Sequence, residues 1–291
     1  MPWRVGITKP LRQVWLLALP VGAYSCLALL KSLPPFSSVP EIPVAIDAAL
    51  SVAMALILAF RVNRAYERWW EARTLWGKLV NVSRNLAVKI RILVVPNQDD
   101  RQASRDLIVA FSAGLKDHLR GGAELKKLPG FEADQDVPNH LPSYLVVRLY
   151  QLMKKWQSDG QLSDQQFWLL DCEARELLEV CGACERIKTT LMSVSWRFFT
   201  WQCIALYLLV LPWGLVEEFG AWAVPLSTII AYFVMAGEGI AHYVEEPFGL
   251  HEDHLDLNKI CAAIETSISE VLLENEGEST HKKKPLPLFT A

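Results

Sequence analysis

The sequence predicts an all-α membrane protein: four transmembrane helices, with a helical cytosolic domain between the second and the third. Three observations carry that expectation. Of 291 residues, 52% are hydrophobic, mean hydropathy is +0.19 and 11 are Trp, more apolar surface than one soluble core of this size needs. Four apolar runs, at about 13–31, 42–60, 198–216 and 221–243, reach the roughly 20 residues that a helix needs to cross about 30 Å of hydrocarbon. The basic residues flank these runs on one side. Net charge, at −3 with mixed signs, gives no reason to expect nucleic acid as a partner.

Along the chain, Arg4, Lys9 and Arg12 precede the first span, which runs on without a small-residue cleavage site and is read as retained. Ser32 to Pro40, with Leu33-Pro34-Pro35, is a turn into the second span. That span is rich in small residues, Ala45, Ala48, Ala49, Ser51, Ala53, Ala55 and Ala59, which let membrane helices approach closely. Arg61, Arg64, Arg68, Arg73, Lys78, Arg84, Lys89 and Arg91 follow it, which places 61–197 in the cytosol by the positive-inside rule. Within that domain Gly121, Gly122, Pro129, Gly130, Pro138 and Pro142 interrupt the helical pattern and predict a loop at about 121–143. Glu217-Glu218-Phe219-Gly220 is the turn between the last two spans and holds no Lys or Arg, so both termini are expected in the cytosol. The organisation expected is therefore an N-terminal segment with two spans (1–60), a cytosolic domain (61–197), two further spans (198–243), a C-terminal cytosolic segment (244–273) and a disordered tail (274–291).

Within the second span Val52, Leu56 and Phe60 recur every four residues and share one helix face, with Arg64 and Arg68 following. Two readings of this stripe are open. It is ordinary helix packing, or it meets symmetry copies and forms apolar rings, a constriction that can gate by dewetting and offer Phe edges to an anion. Asp47 lies about 140° around the helix from Val52, so it is expected to face a neighbouring helix instead of the same lumen.

Phe60-Arg61-Val62-Asn63-Arg64-Ala65-Tyr66-Glu67-Arg68-Trp69-Trp70-Glu71-Ala72-Arg73-Thr74-Leu75-Trp76-Gly77 resembles the signature of the bacterial branch of the bestrophin family. Two further matches are Cys184-Glu185-Arg186-Ile187 and Glu245-Glu246-Pro247-Phe248-Gly249, the latter leading into Asp256-Leu257-Asn258 and Cys261 to Glu265. The resemblance extends from about residue 4 to 273. It implies a homopentamer around one central pore, with the second helix of each subunit forming a neck at Val52, Leu56 and Phe60. It also implies a second, cytosolic narrowing near Phe167 to Leu170. The partners it implies are copies of the chain, small inorganic ions and the lipid bilayer, and the location a bacterial inner membrane. The chain departs from the family's animal members, whose acidic cluster binds calcium, in holding only scattered Glu252, Asp253 and Asp256. It departs from bacterial relatives in lacking prolines across 188–196, and its neck has one aromatic residue.

Other constellations carry less. Cys181-Gly-Ala-Cys184 has thioredoxin-like spacing but no neighbouring strand and no second pair for a metal, and the six cysteines are read as reduced thiols. Glu238 and His242 could relay protons; the plainer reading pairs them with the arginines of 61–73. His251 and His254 beside Glu252 and Asp253 are read as solvent-facing residues near a helix start. Trp69, Trp70 and Trp76 are read as anchors at the membrane interface or at a subunit contact. Nothing resembles a nucleophile with an oriented base or a phosphate loop, so neither enzyme activity, a cofactor nor a metal is expected. The function expected is an ion channel for small monovalent ions, anions such as chloride or bicarbonate favoured. Its rivals are a cation channel of the same build, a scaffold that does not conduct and a membrane redox enzyme.

Overall fold

A computed structural model describes residues 9–30, 43–94, 96–122, 124–131, 138–251 and 254–273. Among these there are helices and turns and no strand. In chain order the helices are α1 (Lys9–Leu29), α2 (Val44–Leu93), α3 (Gln98–Arg120), α4 (Leu141–Ser158), α5 (Asp164–Thr189), α6 (Val194–Phe219), α7 (Ala223–Val244) and α8 (Leu257–Leu273). Two helical runs, Ala45–Leu93 and Val194–Val244, are long and apolar enough to cross a membrane, and Val14–Leu29 is a shorter apolar helix. Arg4, the turn of 32–40, the pair Glu252 and Asp253 and the tail from 274 lie outside the described residues.

The chain divides into two compact units. One lies within Met1–Trp69 and Leu191–Glu246, the other within Trp70–Thr190 and Pro247–Ala291. In the first, α1 packs on α7 and α6, and α6 on α7. Small residues allow it: a Cβ on Gly22 of α1 would land on the Thr228 hydroxyl of α7. Three residues on, Ser25 and Ser227 share a buried hydrogen bond of 2.5 Å between the same two helices. Ala18, Met54, Ile204, Tyr207, Leu208, Leu211 and Ala231 form the core, with α2 contributing Met54 and, at its edge, Leu50, Ile57 and Leu58.

The break between α6 and α7 falls later than the acidic pair suggested. α6 continues through Glu217 and Glu218 to Phe219 and ends at Gly220, where φ is 54°. Glutamate is a good helix former, whereas a left-handed residue without a Cβ stops a helix.

In the second unit α3 packs on α4, α5 and α8, and α4 on α5. Asn97 caps α3, and Ser163 with Gln166 closes a capping box on α5. Gly121 ends α3 in the left-handed conformation. Pro142, expected inside a loop, instead sits in the first turn of α4 after the cap His140, where its missing N–H costs nothing.

α2 is continuous over 50 residues. Its later part buries Ala72, Trp76, Leu79, Ser83, Leu86 and Ile90, spaced alternately by four and three, as one stripe. Trp76 is thus part of a helical core and anchors neither a membrane interface nor a subunit contact.

Candidate functional site

The stripe predicted on α2 is left uncovered by the chain. Val52 is 63% exposed, Leu56 55% and Phe60 63%, while Met54 on the opposite face is buried. Asp47 leaves that stripe, as expected: its side chain packs at Gly214 of α6, where an added Cβ would meet it at 3.1 Å. One turn along from Asp47, the Ser51 hydroxyl hydrogen-bonds the Tyr207 hydroxyl of α6 at 3.2 Å. Beyond Phe60, exposed Arg64 pairs with Glu67 at 3.3 Å, and Asn63 donates to the same carboxylate at 3.0 Å.

Arg61, next to Phe60 in sequence, points the other way and is fully buried. Its Nε donates to Glu238 of α7 at 3.3 Å and its Nη2 to Glu245 at 2.8 Å. The plainer reading of Glu238 therefore describes this structure. Glu245 also accepts the Met192 amide at 3.1 Å, and its carbonyl accepts Arg68 Nε at 3.2 Å. Burial works to raise the Glu245 carboxyl, but the Met192 amide and Arg61 outweigh it and hold it below its ordinary value. Tyr66 stacks with Trp69 at 6.4 Å, and Trp70 is exposed.

The rest of the signature belongs to the second unit. Glu71 accepts from Arg186 of α5 at 2.6 Å, so two of the motifs read from the sequence meet in one ion pair. Arg73 lies along Gly77, where an added Cβ would sit 3.5 Å from its Nη1. Glu246 is exposed, and Pro247 and Phe248 are buried in the turn after α7. Pro247 accepts the Leu255 amide at 2.9 Å, and Arg120 donates to the Phe248 and Gly249 carbonyls at 3.2 and 3.3 Å. His251 is exposed, as read, whereas His254 is half-buried: its ring packs on Gly249, and its Nδ1 accepts the His251 amide at 3.2 Å. Asp256 caps α8 through the Lys259 amide at 3.0 Å. In the region of the expected cytosolic narrowing, Trp168 and Leu169 are exposed, Phe167 is half-buried and Leu170 is buried.

Cys181 and Cys184 are buried in α5, and desolvation pushes both thiols up to about 12, so in the absence of a metal they stay protonated at neutral pH. One cluster escaped sequence reasoning. His118 at the end of α3 and His140 at the start of α4 both contact Glu185 Oε1 on α5, at 2.6 and 2.8 Å. The three side chains lie within 4.8 Å, close enough for a metal. However, His140 Nδ1 accepts the Ser143 amide at 3.1 Å, which puts the ring proton on the Nε2 that faces Glu185. The group is thus built as N–H donors on a carboxylate. Burial alone would raise Glu185; the two imidazoles outweigh it and hold it below its ordinary value. No local sequence signal joins residues so far apart, although Pro142 marks the helix start that positions His140.

A family model described as Bacterial/Fungal Bestrophin protein matches residues 6–270. The chain is 30% identical over 269 residues to YneE of Escherichia coli (strain K12), a voltage-dependent anion channel-forming protein, covering 91% of this chain and 83% of that one. It is 29% identical over 240 residues to a voltage-dependent anion channel-forming protein of Nostoc sp., covering 79% of this chain and 78% of the other. Among solved structures, a bacterial bestrophin homolog from Klebsiella pneumoniae superposes with a TM-score of 0.82 at 26% identity, over 88% of this chain and 98% of that chain.

Proposed function

Because the chain belongs to the bacterial and fungal bestrophin family, we propose that it is the subunit of a homopentameric anion channel of the inner membrane. In this reading α1, the first part of α2, α6 and α7 cross the membrane, and both termini lie in the cytosol. The α2 face of Val52, Leu56 and Phe60 forms the neck, with a second narrowing near Phe167 to Leu170. The family is one of ion channels and not of enzymes, and relatives are named as anion channel-forming.

The observation that carries the reading is the exposed stripe. Three large apolar side chains in line, on a helix whose opposite face is buried, must be covered by lipid or by a further protein surface. Copies of the same helix around an axis provide one that remains permeable when wetted. Phe60 presents a ring edge with partial positive charge to a passing anion. A cation channel of the same build draws support from one observation: Glu67 offsets the charge of Arg64 just past the neck.

The test is the reversal potential in planar bilayers under a KCl gradient, for the native chain and for the double variant Leu56→Ala, Phe60→Ala. Reversal near the chloride potential with higher conductance in the variant is expected. Reversal near the potassium potential overturns the anion choice, and no current from either protein overturns the channel.

A further inference from the structure

At one end of the first unit, α1, α6 and α7 enclose a cavity of about 330 Å³. Its wall is apolar, with Val14 and Leu17 from α1, Trp201 from α6 and Met235 from α7. Its rim is polar, with Arg197 from the first turn of α6 and Glu238 and His242 from α7. Glu238 and the nearby Glu245 are both held by the buried guanidinium of Arg61.

The Arg197 side chain makes no hydrogen bond or ion pair among the described residues, and its Nε is shielded from solvent without a partner. It reaches Glu245 only through space. A half-buried guanidinium whose Nε has no hydrogen-bond partner is costly, and Glu245 offsets its charge only from a distance, so a directly bonded anion is expected from outside the chain. An occupant that also fills the apolar wall must join an anionic group to hydrocarbon.

The geometry points to a site for an anionic phospholipid, its phosphate on Arg197 and part of one acyl chain along Val14, Leu17, Trp201 and Met235. The assignment rests on the membrane topology proposed above, in which the N-terminal ends of α1 and α6 and the C-terminal end of α7 lie at the cytosolic boundary. Anionic lipids give that surface a negative potential, and Trp201 and Tyr243 at the cavity suit its interface. The volume is at the lower end of ligand pockets, roughly 300–1,000 Å³. It fits a headgroup and a chain segment, not a whole lipid.

Native mass spectrometry of the purified full-length assembly, titrated with phosphatidylglycerol and with phosphatidylcholine of the same acyl chains, tests this. Retention of phosphatidylglycerol is expected to fall at least fivefold in Arg197→Gln, to survive largely in Arg197→Lys, and to fall for both lipids in Met235→Trp, which fills the cavity. The oligomeric mass in the same spectra shows whether each variant has assembled. Equal phosphatidylglycerol retention by the native protein and an assembled Arg197→Gln overturns the site, as does native binding without preference between the two lipids. Bilayer current is read separately: current without lipid preference defeats the lipid site alone, and lipid preference without current defeats the channel alone.

Discussion

Arg61 shows how one side chain's partners decide its role. Two residues of the same signature, Arg61 and Arg64, face opposite ways on one helix, one sealed between two carboxylates and the other open to solvent. Removing Arg61 leaves Glu238 and Glu245 buried without their counter-charge, so Arg61→Ala is expected to cost about 3 kcal/mol or more. It should appear as loss of the assembled species in size-exclusion chromatography. Arg61→Lys should not restore it, because one ammonium cannot replace a fork that reaches both acids. Glycines allow a second comparison. A Cβ on Gly249 would collide with the His254 ring, whereas one on Gly182 in α5 meets nothing within 4 Å. Thermal melts should therefore show Gly249→Ala destabilised by about 1–3 kcal/mol and Gly182→Ala stabilised by roughly 0.5–1 kcal/mol.

At the scale of elements, the apolar helices and the helical character of the segment between them were legible, because apolar periodicity is a local signal, whereas the bounds of α3, α4, α5 and α8 were not drawn from the sequence. The four-residue spacing of Val52, Leu56 and Phe60 correctly placed them on one face, and the angular argument correctly turned Asp47 away from it. Long-range pairing was not legible: nothing near His118 indicates Glu185, 67 residues on, and nothing near Arg197 indicates that it lacks a partner. Trp76 was misplaced because an aromatic after an apolar span looks like an interface anchor until the alternating stripe around it is seen to be buried. The Glu185 cluster fastens α3, α4 and α5 together and makes an acid-sensitive joint. Its folded value lies below its unfolded one, so its contribution is complete above the ordinary value of 4.5 and is lost as pH falls through that value toward the lowered one. Melting temperature in detergent should drop as pH falls below the ordinary value of 4.5. Glu185→Gln should start lower and show a shallower drop; an unchanged acid slope would place its origin elsewhere.

For the whole molecule, family membership and the exposed stripe bear on different questions. The family accounts for the kind of protein, and the stripe is an apolar face of α2 that the chain itself does not cover. If five copies complete it, light scattering corrected for detergent should return five times 32.8 kDa. Another integer would keep the channel and replace the symmetry.

The buried clasp of Arg61 also has a mechanical consequence. Turning α2 about its long axis would pull Arg61 from Glu238 and Glu245 together, a penalty of about 3 kcal/mol that would leave the turned form roughly a hundredfold rarer. Swinging Leu56 and Phe60 about their own χ angles disturbs neither contact. In a conducting assembly α2 and α7 would therefore behave as one stiff lever. Fast flicker of the current would then come from side chains and water at the neck, and slow transitions from tilting of the lever as a whole.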